Sequence, residues 1–318
     1  MTDRFREHDL ELPATPTGER LDAVLARLLP QYSRSRLAAW MKSGAVQLAG
    51  RATRPSEKVY GGEAVRVRAE LAADESVAPE AIPLAIVHAD AALAVIDKPV
   101  GLVVHPGAGN PRHTLQNALL AWDPELATLP RAGLVHRIDK DTSGLLVIAR
   151  TLEAHVALTR MLAERDIHRE YFALCVGSMT GGGTIDRPIG RHRTDRLRMT
   201  VREDGRPAVT HYRLAERFRA HTLLRVQLET GRTHQIRVHL AHAGWPLVGD
   251  PLYGGRRQLV AGMAPDVRAA LAAFRRQALH AARLELEHPL TGERLAFEAP
   301  LPADLAALLQ VLRADARR

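Results

Sequence analysis

Cysteine is almost absent from this chain. Cys175 is the only one in 318 residues, which excludes an internal disulfide and any zinc site built on clustered cysteines. Such usage fits a reducing, cytoplasmic setting. Aromatic residues make up 4% of the chain, so the volume of its core has to come from Leu, Val, Ile and Ala. Long apolar runs are missing as well: stretches such as 144–149 fall far short of the ~20 residues that a membrane helix needs. The opening MTDRFREHDLELP is charged and lacks an apolar stretch, so it does not read as a secretory signal. No GxxxxGK[ST] loop, HExxH helix or GxSxG elbow occurs. GAGNPR (107–112) is only part of a dinucleotide fingerprint, and Pro111 stands where its helix would begin, so a turn is expected there. Among the fifteen histidines, His234, His239 and His242 have no neighbouring carboxylate, so no metal site is expected.

What is present is the composition of a folded, soluble protein, 46% hydrophobic and 25% charged. At ~150 residues per domain, the length suggests about two domains. A net charge of +8 and a pI near 10.2 favour a polyanionic partner, most simply nucleic acid.

The pattern along the chain divides it. Residues 1–15 are polar and read as a flexible arm. Leu21, Val24, Leu25 and Leu28 recur at helical spacing before Pro30. A second helix is expected over 33–43, with Arg34, Arg36 and Lys42 on one side and Leu37, Trp40 and Met41 on the other. Gly44 stops it, and short strands follow at 46–48 and 64–67. Between residues 19 and 70, ten Lys or Arg face five Asp or Glu, a net +5 in this small unit. The stretch 71–83 is acidic and rich in Ala and Pro, so the first domain is drawn as 16–75, the linker as 76–83 and the second domain as 84–318. In the second domain, strands are expected at 84–87, 91–96, 145–149, 171–176, 208–214 and 222–228, with helices at 152–165, 236–242 and 303–313. Strands and helices do not alternate regularly, which points to an α+β domain with a mixed, mainly antiparallel sheet.

Two polar segments stand out. In RAGLVHRIDKDTSGLLVIAR (131–150), 133–135 reads as a strand entering a loop, 136–143, in which Asp139 and Asp141 lie among His136, Arg137 and Lys140. Charged turns are usually solvated and no more. This one lies between strongly apolar stretches, where loops often carry function. The second segment, ETGRTHQIRVH (229–239), reads as a helix N-terminus capped by Thr233, with its basic residues toward solvent. If Arg232 or Arg237 reached Asp139, the pair would orient that carboxylate and keep it charged, as a nucleophile or base requires. Tyr171 suits stacking on a flat ligand, or else is a half-buried strand aromatic.

Together these segments resemble the RluA-type pseudouridine synthases. The matching stretches are HRIDKDTSG (136–144), REYFAL (169–174), PAVTHYRL (207–214), ETGRTHQIRVH (229–239), GDPLYG (249–254) and RQALHAARLELEHPLTGE (276–293). RLD (20–22) and SRSRLAAWMKSGAVQLAG (33–50) resemble an S4 RNA-binding domain, and the likeness spans roughly residues 16–313. DKPVGLVVHPGAGNP (97–111), residues 130–150 and GDPLYGGR (249–256) are most similar to the branch that modifies a large-subunit rRNA hairpin loop at the subunit interface. Ile138 replaces the more usual Leu, a small departure.

The resemblance implies that Asp139 is the essential aspartate, that Tyr171 stacks on the target base and that Arg237 pairs with the aspartate. It places Arg137 in the space left by the flipped uridine, with His136 and Arg232 also at the RNA and Arg34, Arg36 and Lys42 on the S4 surface. It implies no cofactor or metal, a large-subunit rRNA or ribosome-precursor partner, a cytoplasmic setting and a monomer. Two other readings stay open: the same chemistry on other rRNA uridines or tRNA, and a non-catalytic RNA-binding assembly factor.

Overall fold

The structure, a computed structural model, describes residues 5–14, 17–29, 32, 34–70, 77–107, 109–195, 197–254 and 263–317. In the N-terminal unit, helices Leu21–Leu28 and Arg34–Lys42 cover a four-stranded antiparallel sheet in the order Phe5–Glu11, Ala64–Glu70, Val46–Leu48, Arg51–Ala52. Leu21, Val24 and Leu25 share the buried stripe of the first helix. They pack with Leu37, Met41, Val46, Leu48, Val65 and Val67 in one core.

The expected flexible arm is corrected here. Residues 5–11 form an edge strand along Ala64–Glu70 with Glu7 opposite Arg68 and Asp9 opposite Arg66. Both acids reach those arginines at 2.8 Å. Alternating acids complement alternating arginines across the ladder, so what reads as a polar tail is one half of a cross-strand charge pattern. The described end of the linker, 77–83, has no regular structure but is pinned to the second domain. Asn117 Nδ2 donates to the Ala78 carbonyl at 2.7 Å, and Val77 and Ile82 pack on the main core.

The second domain is built on a nine-stranded sheet. Eight strands run in the order Gly183–Asp186, Val209–Arg217, His221–Leu228, His168–Val176, Leu279–Glu287, Ser143–Ala149, Leu93–Lys98, Ala85–Ala89, and Arg294–Glu298 adds to Leu279–Glu287. All pairs are antiparallel except one: Leu279–Glu287 meets Ser143–Ala149 in parallel, through His280 opposite Ser143 and Ala281 opposite Gly144. Every residue of Ser143–Ala149 is buried because the sheet is covered on both faces there. Leu146 and Ile148 pack toward helix Leu115–Trp122, while Leu145 and Val147 pack toward helix Leu152–Glu164. A strand buried on both sides reads as a continuous apolar run, which is how 145–149 could be located from sequence. Farther along, Leu174, Val176 and Leu223 bury helices Pro265–Ala273 and Ala303–Ala316.

The strand expected at 133–135 is absent. Residues Pro130–Gly133 make a tight helical turn in which Arg131 and Ala132 take positive φ, and Leu134 contributes only an isolated bridge to Ile148. The Gly133 backbone lies so close to Ala149 that a Cβ would sit 2.0 Å from its carbonyl oxygen. This close approach turns the chain instead of extending it.

Candidate active site

Asp139 lies in the loop that enters the parallel junction of the sheet, and that loop is tied down from several directions. Lys98 ends a buried strand, is itself fully buried, and donates from Nζ to the carbonyls of Pro99, Leu102 and Lys140 at 2.7, 2.9 and 2.9 Å. Gly101 N–H donates to the same Lys140 oxygen at 3.0 Å. Arg276 donates to the Asp141 carbonyl at 3.3 Å, and Gln277 to the Thr142 hydroxyl at 3.2 Å. Beyond the loop, Gly144 has φ +110°, and a Cβ there would meet the Ala281 carbonyl oxygen at 2.1 Å. Only glycine allows the two parallel strands to close at this point. Burial pulls the Lys98 ammonium down to about 7, against the opposing pull of Asp141 and Asp139.

The cation that meets Asp139 is Arg237, on helix Gln235–His242. Its Nη1 donates to Asp139 Oδ2 at 2.9 Å. Its Nε and Nη2 form a fork onto Asp250, at 2.7 and 2.9 Å. Asp250 Oδ1 also accepts from the Leu252 and Tyr253 amides, at 2.9 and 3.0 Å. Burial alone would raise the Asp250 carboxyl, but the Arg237 bonds and charge override it and hold the group below the usual carboxylate range. Burial likewise opposes the Arg237 charge, and the two aspartates overcome it. The guanidinium sits 5.0 Å from the centre of the Tyr253 ring. Tyr253 in turn binds His234 Nδ1 at 2.8 Å and accepts from the Met199 amide at 2.8 Å. Two of the three donor edges of Arg237 are therefore fixed by a buried carboxylate, and the third is aimed at Asp139.

The helix that carries Arg237 does not start as expected. Its N-cap is His234, in the left-handed conformation and without a side-chain cap, not Thr233. Gln235 anchors this turn instead: its Oε1 accepts from Thr230 Oγ1 at 2.7 Å and from the Arg232 amide at 3.0 Å. A buried amide replaces the capping hydroxyl, and sequence patterning does not reveal such a substitution.

Above Asp139 is a cleft of about 500 Å³, open to solvent, in which Asp139 is the only carboxylate among the lining residues. Tyr171 forms a wall of it and is 5% exposed. Burial raises its phenol, against the pull of Arg169, so Tyr171 is protonated at neutral pH. Arg137 is exposed and lines this cleft together with two larger adjoining grooves. Arg232 also faces the cleft, its Nε spent on the Pro207 carbonyl at 3.1 Å. His136, expected at the RNA, lines the groove beside this cleft. Burial takes its imidazole down to about 3, and its Nε2 accepts from the Val147 amide at 3.1 Å, so the ring is neutral with its proton on Nδ1. Arg34 pairs with Asp22 at 2.9 Å on the N-terminal unit, where Lys42 is exposed and Arg36 is half-buried. The structure thus brings Asp139, Arg237, Tyr171, Arg137 and Arg232 to one cleft. Lys98, Asp250 and Tyr253 escaped sequence reasoning, although their motifs, 97–111 and 249–254, were legible. Among the described residues, no group of three or more His, Cys, Asp or Glu is arranged to hold a metal, and no helix is long and apolar enough to cross a membrane.

Comparison with known proteins gives the family of the chain that carries this cleft. Residues 92–242 match the family described as RNA pseudouridylate synthase, and residues 19–65 match the S4 domain. The chain is 56% identical over 307 residues to a Xanthomonas campestris protein named ribosomal large subunit pseudouridine synthase D, covering 96% of this chain and 93% of that one. A protein of the same name from Escherichia coli K12 is 52% identical over 299 residues, covering 94% and 92%. The solved structure of human RNA pseudouridylate synthase domain containing 4 is 28% identical, with a TM-score of 0.57, covering 72% of this chain and 93% of that one.

Proposed function

Because the chain belongs to the RNA pseudouridylate synthase family, with an S4 domain ahead of its catalytic domain, we propose that this isomerase acts on uridines of large-subunit rRNA, in the hairpin loop at the subunit interface. The observation that carries the reading is the Asp139–Arg237–Asp250 chain at the floor of a cleft walled by Tyr171.

Pseudouridine formation breaks the N1–C1′ bond, turns the base and joins C5 to C1′, with loss of the C5 proton. A base inside a helix hides C1′, so the nucleotide has to leave the stack, at a cost of a few kcal/mol that is smallest in a loop. Asp139 initiates the cleavage. Arg237 keeps its carboxylate oriented, while Asp250 keeps Arg237 from turning away. The neutral Tyr171 ring offers the flipped base a stacking face, and Arg137 at the cleft mouth fills the space the base vacates. The exposed basic residues of the S4 domain grip phosphates, an interaction that weakens steeply with salt.

The test is tritium release from large-subunit rRNA carrying C5-labelled uridine, by the wild type and by Asp139→Asn. Release by the wild type alone supports the reading. Equal release by both removes Asp139 from the chemistry, and release only from tRNA moves the substrate.

A further inference from the structure

Among the charged groups of the cleft that the mechanism above leaves unemployed, Arg169 stands apart. Arg169 opens the segment REYFAL on strand His168–Val176, two residues before Tyr171, and is 8% exposed. Its Nε is buried without a hydrogen-bond partner, and no carboxylate pairs with it among the described residues. The contrast with its neighbour is sharp: Arg237, equally buried, has two carboxylates. A buried guanidinium with no counterion is costly, and proteins rarely leave one so unless a ligand completes it.

The position of Arg169 says what that ligand is. Arg169 lines both the Asp139 cleft and an adjoining groove of about 760 Å³ whose lining holds Arg131, Arg137, His105 and His136 but no carboxylate. A second orphan donor points to the same place: His136 Nδ1, which carries the ring proton, is buried and unpartnered. Space has also been kept for the guanidinium. Gly231, at the start of the segment leading to Arg237, is so close that a Cβ there would sit 3.3 Å from Arg169 Nη1. A flat uracil satisfies the Tyr171 wall but supplies only neutral acceptors. Buried donors facing a groove whose charged residues are all arginines call for an anion.

We propose that Arg169 binds a backbone phosphate next to the flipped nucleotide, and that the Arg131–Arg137 groove is the track along which the flanking strand leaves the cleft. This rests on the functional reading above and adds to it the anchor that fixes the target nucleotide over Asp139. The phosphate supplies the missing charge, so the arginine is fully paired only in the RNA complex, and its binding energy is directed at placing C1′.

The experiment compares wild type, Arg169→Lys and Arg169→Gln as full-length proteins, with a synthetic large-subunit rRNA hairpin. Affinity is measured against salt, and turnover is measured separately. Arg169→Gln is expected to weaken binding roughly 10-fold and to lower the slope of log affinity against log salt by about one, while Arg169→Lys keeps the slope. Replacing the phosphate beside the target uridine with a neutral methylphosphonate is expected to weaken wild-type binding by the same factor and to have no further effect on Arg169→Gln. Thermal melting separates a binding role from a scaffolding one: loss of an unpaired buried charge leaves Tm unchanged or higher, whereas loss of a structural arginine lowers it. An unchanged slope with retained turnover, additive methylphosphonate and Arg169→Gln effects, or a lowered Tm would overturn the phosphate site and leave the functional reading standing. A slope lowered by one in Arg169→Gln, beside a wild-type protein that converts no uridine, would do the reverse.

Discussion

The two domains use arginine in opposite ways. In the N-terminal unit, Arg27, Arg51, Arg66 and Arg68 each pair with one acid and are more than half exposed. Such pairs are worth little in water, and they release their arginines to a phosphate at small cost. In the catalytic cleft, Arg237 is 4% exposed and its three donor edges are all used by Asp139 and Asp250. A guanidinium in that position is a positioning part, expensive to remove and not available to RNA. The lesson is that what occupies an arginine's donors, more than its charge or its burial, decides whether it is free to take a phosphate.

The largest expected effect tests the cleft side of this contrast. Asp139→Asn is expected to lower single-turnover rate on the order of 10⁴-fold or more while RNA affinity changes little. A matching loss of affinity would mean that the residue belongs to binding. Next comes Arg237→Met, which strands Asp250 as a buried, unpaired carboxylate. Removing one partner of such a pair costs about 3–5 kcal/mol, so chemical denaturation should show a loss of that order, together with slower turnover. A Tm close to wild type would show that Asp250 is solvated and that the buried chain is not a structural unit.

Lys98 gives a pH test of intermediate size. Its folded value, about 7, lies below the ordinary lysine value of 10.5, so between those limits the unfolded chain holds more protons than the folded one. Stability therefore rises with pH across that window, by at most about 1.4 kcal/mol per pH unit for one proton, and is lost again as the pH falls toward 7. Urea denaturation of wild type and Lys98→Met at pH 7, 8 and 9 checks this; the variant should lose the upward slope, and identical slopes would remove Lys98 as its source. The smallest effect belongs to the S4 side. Asp22 has both Arg20 and Arg34 against it, which hold its carboxyl near 2, so Arg34→Ala leaves one partner in place. Tm is expected to move little, while the salt dependence of RNA binding becomes shallower by about one phosphate contact. A large fall in Tm would place Arg34 with the structural arginines, and the contrast between the domains would narrow.

How much of this was legible follows the range of the interactions. Helix Leu21–Leu28, strand Ser143–Ala149 and helix Leu152–Glu164 announce themselves by local periodicity or by an unbroken apolar run. Asp139, Tyr171 and Arg237 were singled out because they stand in long motifs, and the expected meeting of Arg237 with Asp139 is observed at 2.9 Å. The edge strand Phe5–Glu11 was missed because its acids make sense only opposite Arg66 and Arg68, some sixty residues away. The His234 cap was missed because Gln235, not a hydroxyl, closes that turn.

By itself, then, the sequence determined the division into two domains, the basic character of the first, the apolar strands of the second and the polar loop that bears Asp139, since each depends on neighbours in the chain. Only the tertiary structure decided which cations serve that loop. It buried Lys98 beneath three carbonyls, gave Arg237 to Asp250 as well as to Asp139, neutralised His136 and left Arg169 Nε without a hydrogen-bond partner among the described residues. The physical reason is that a charged side chain takes its role from its desolvation and from the groups that meet it, and both are set by residues far away in sequence.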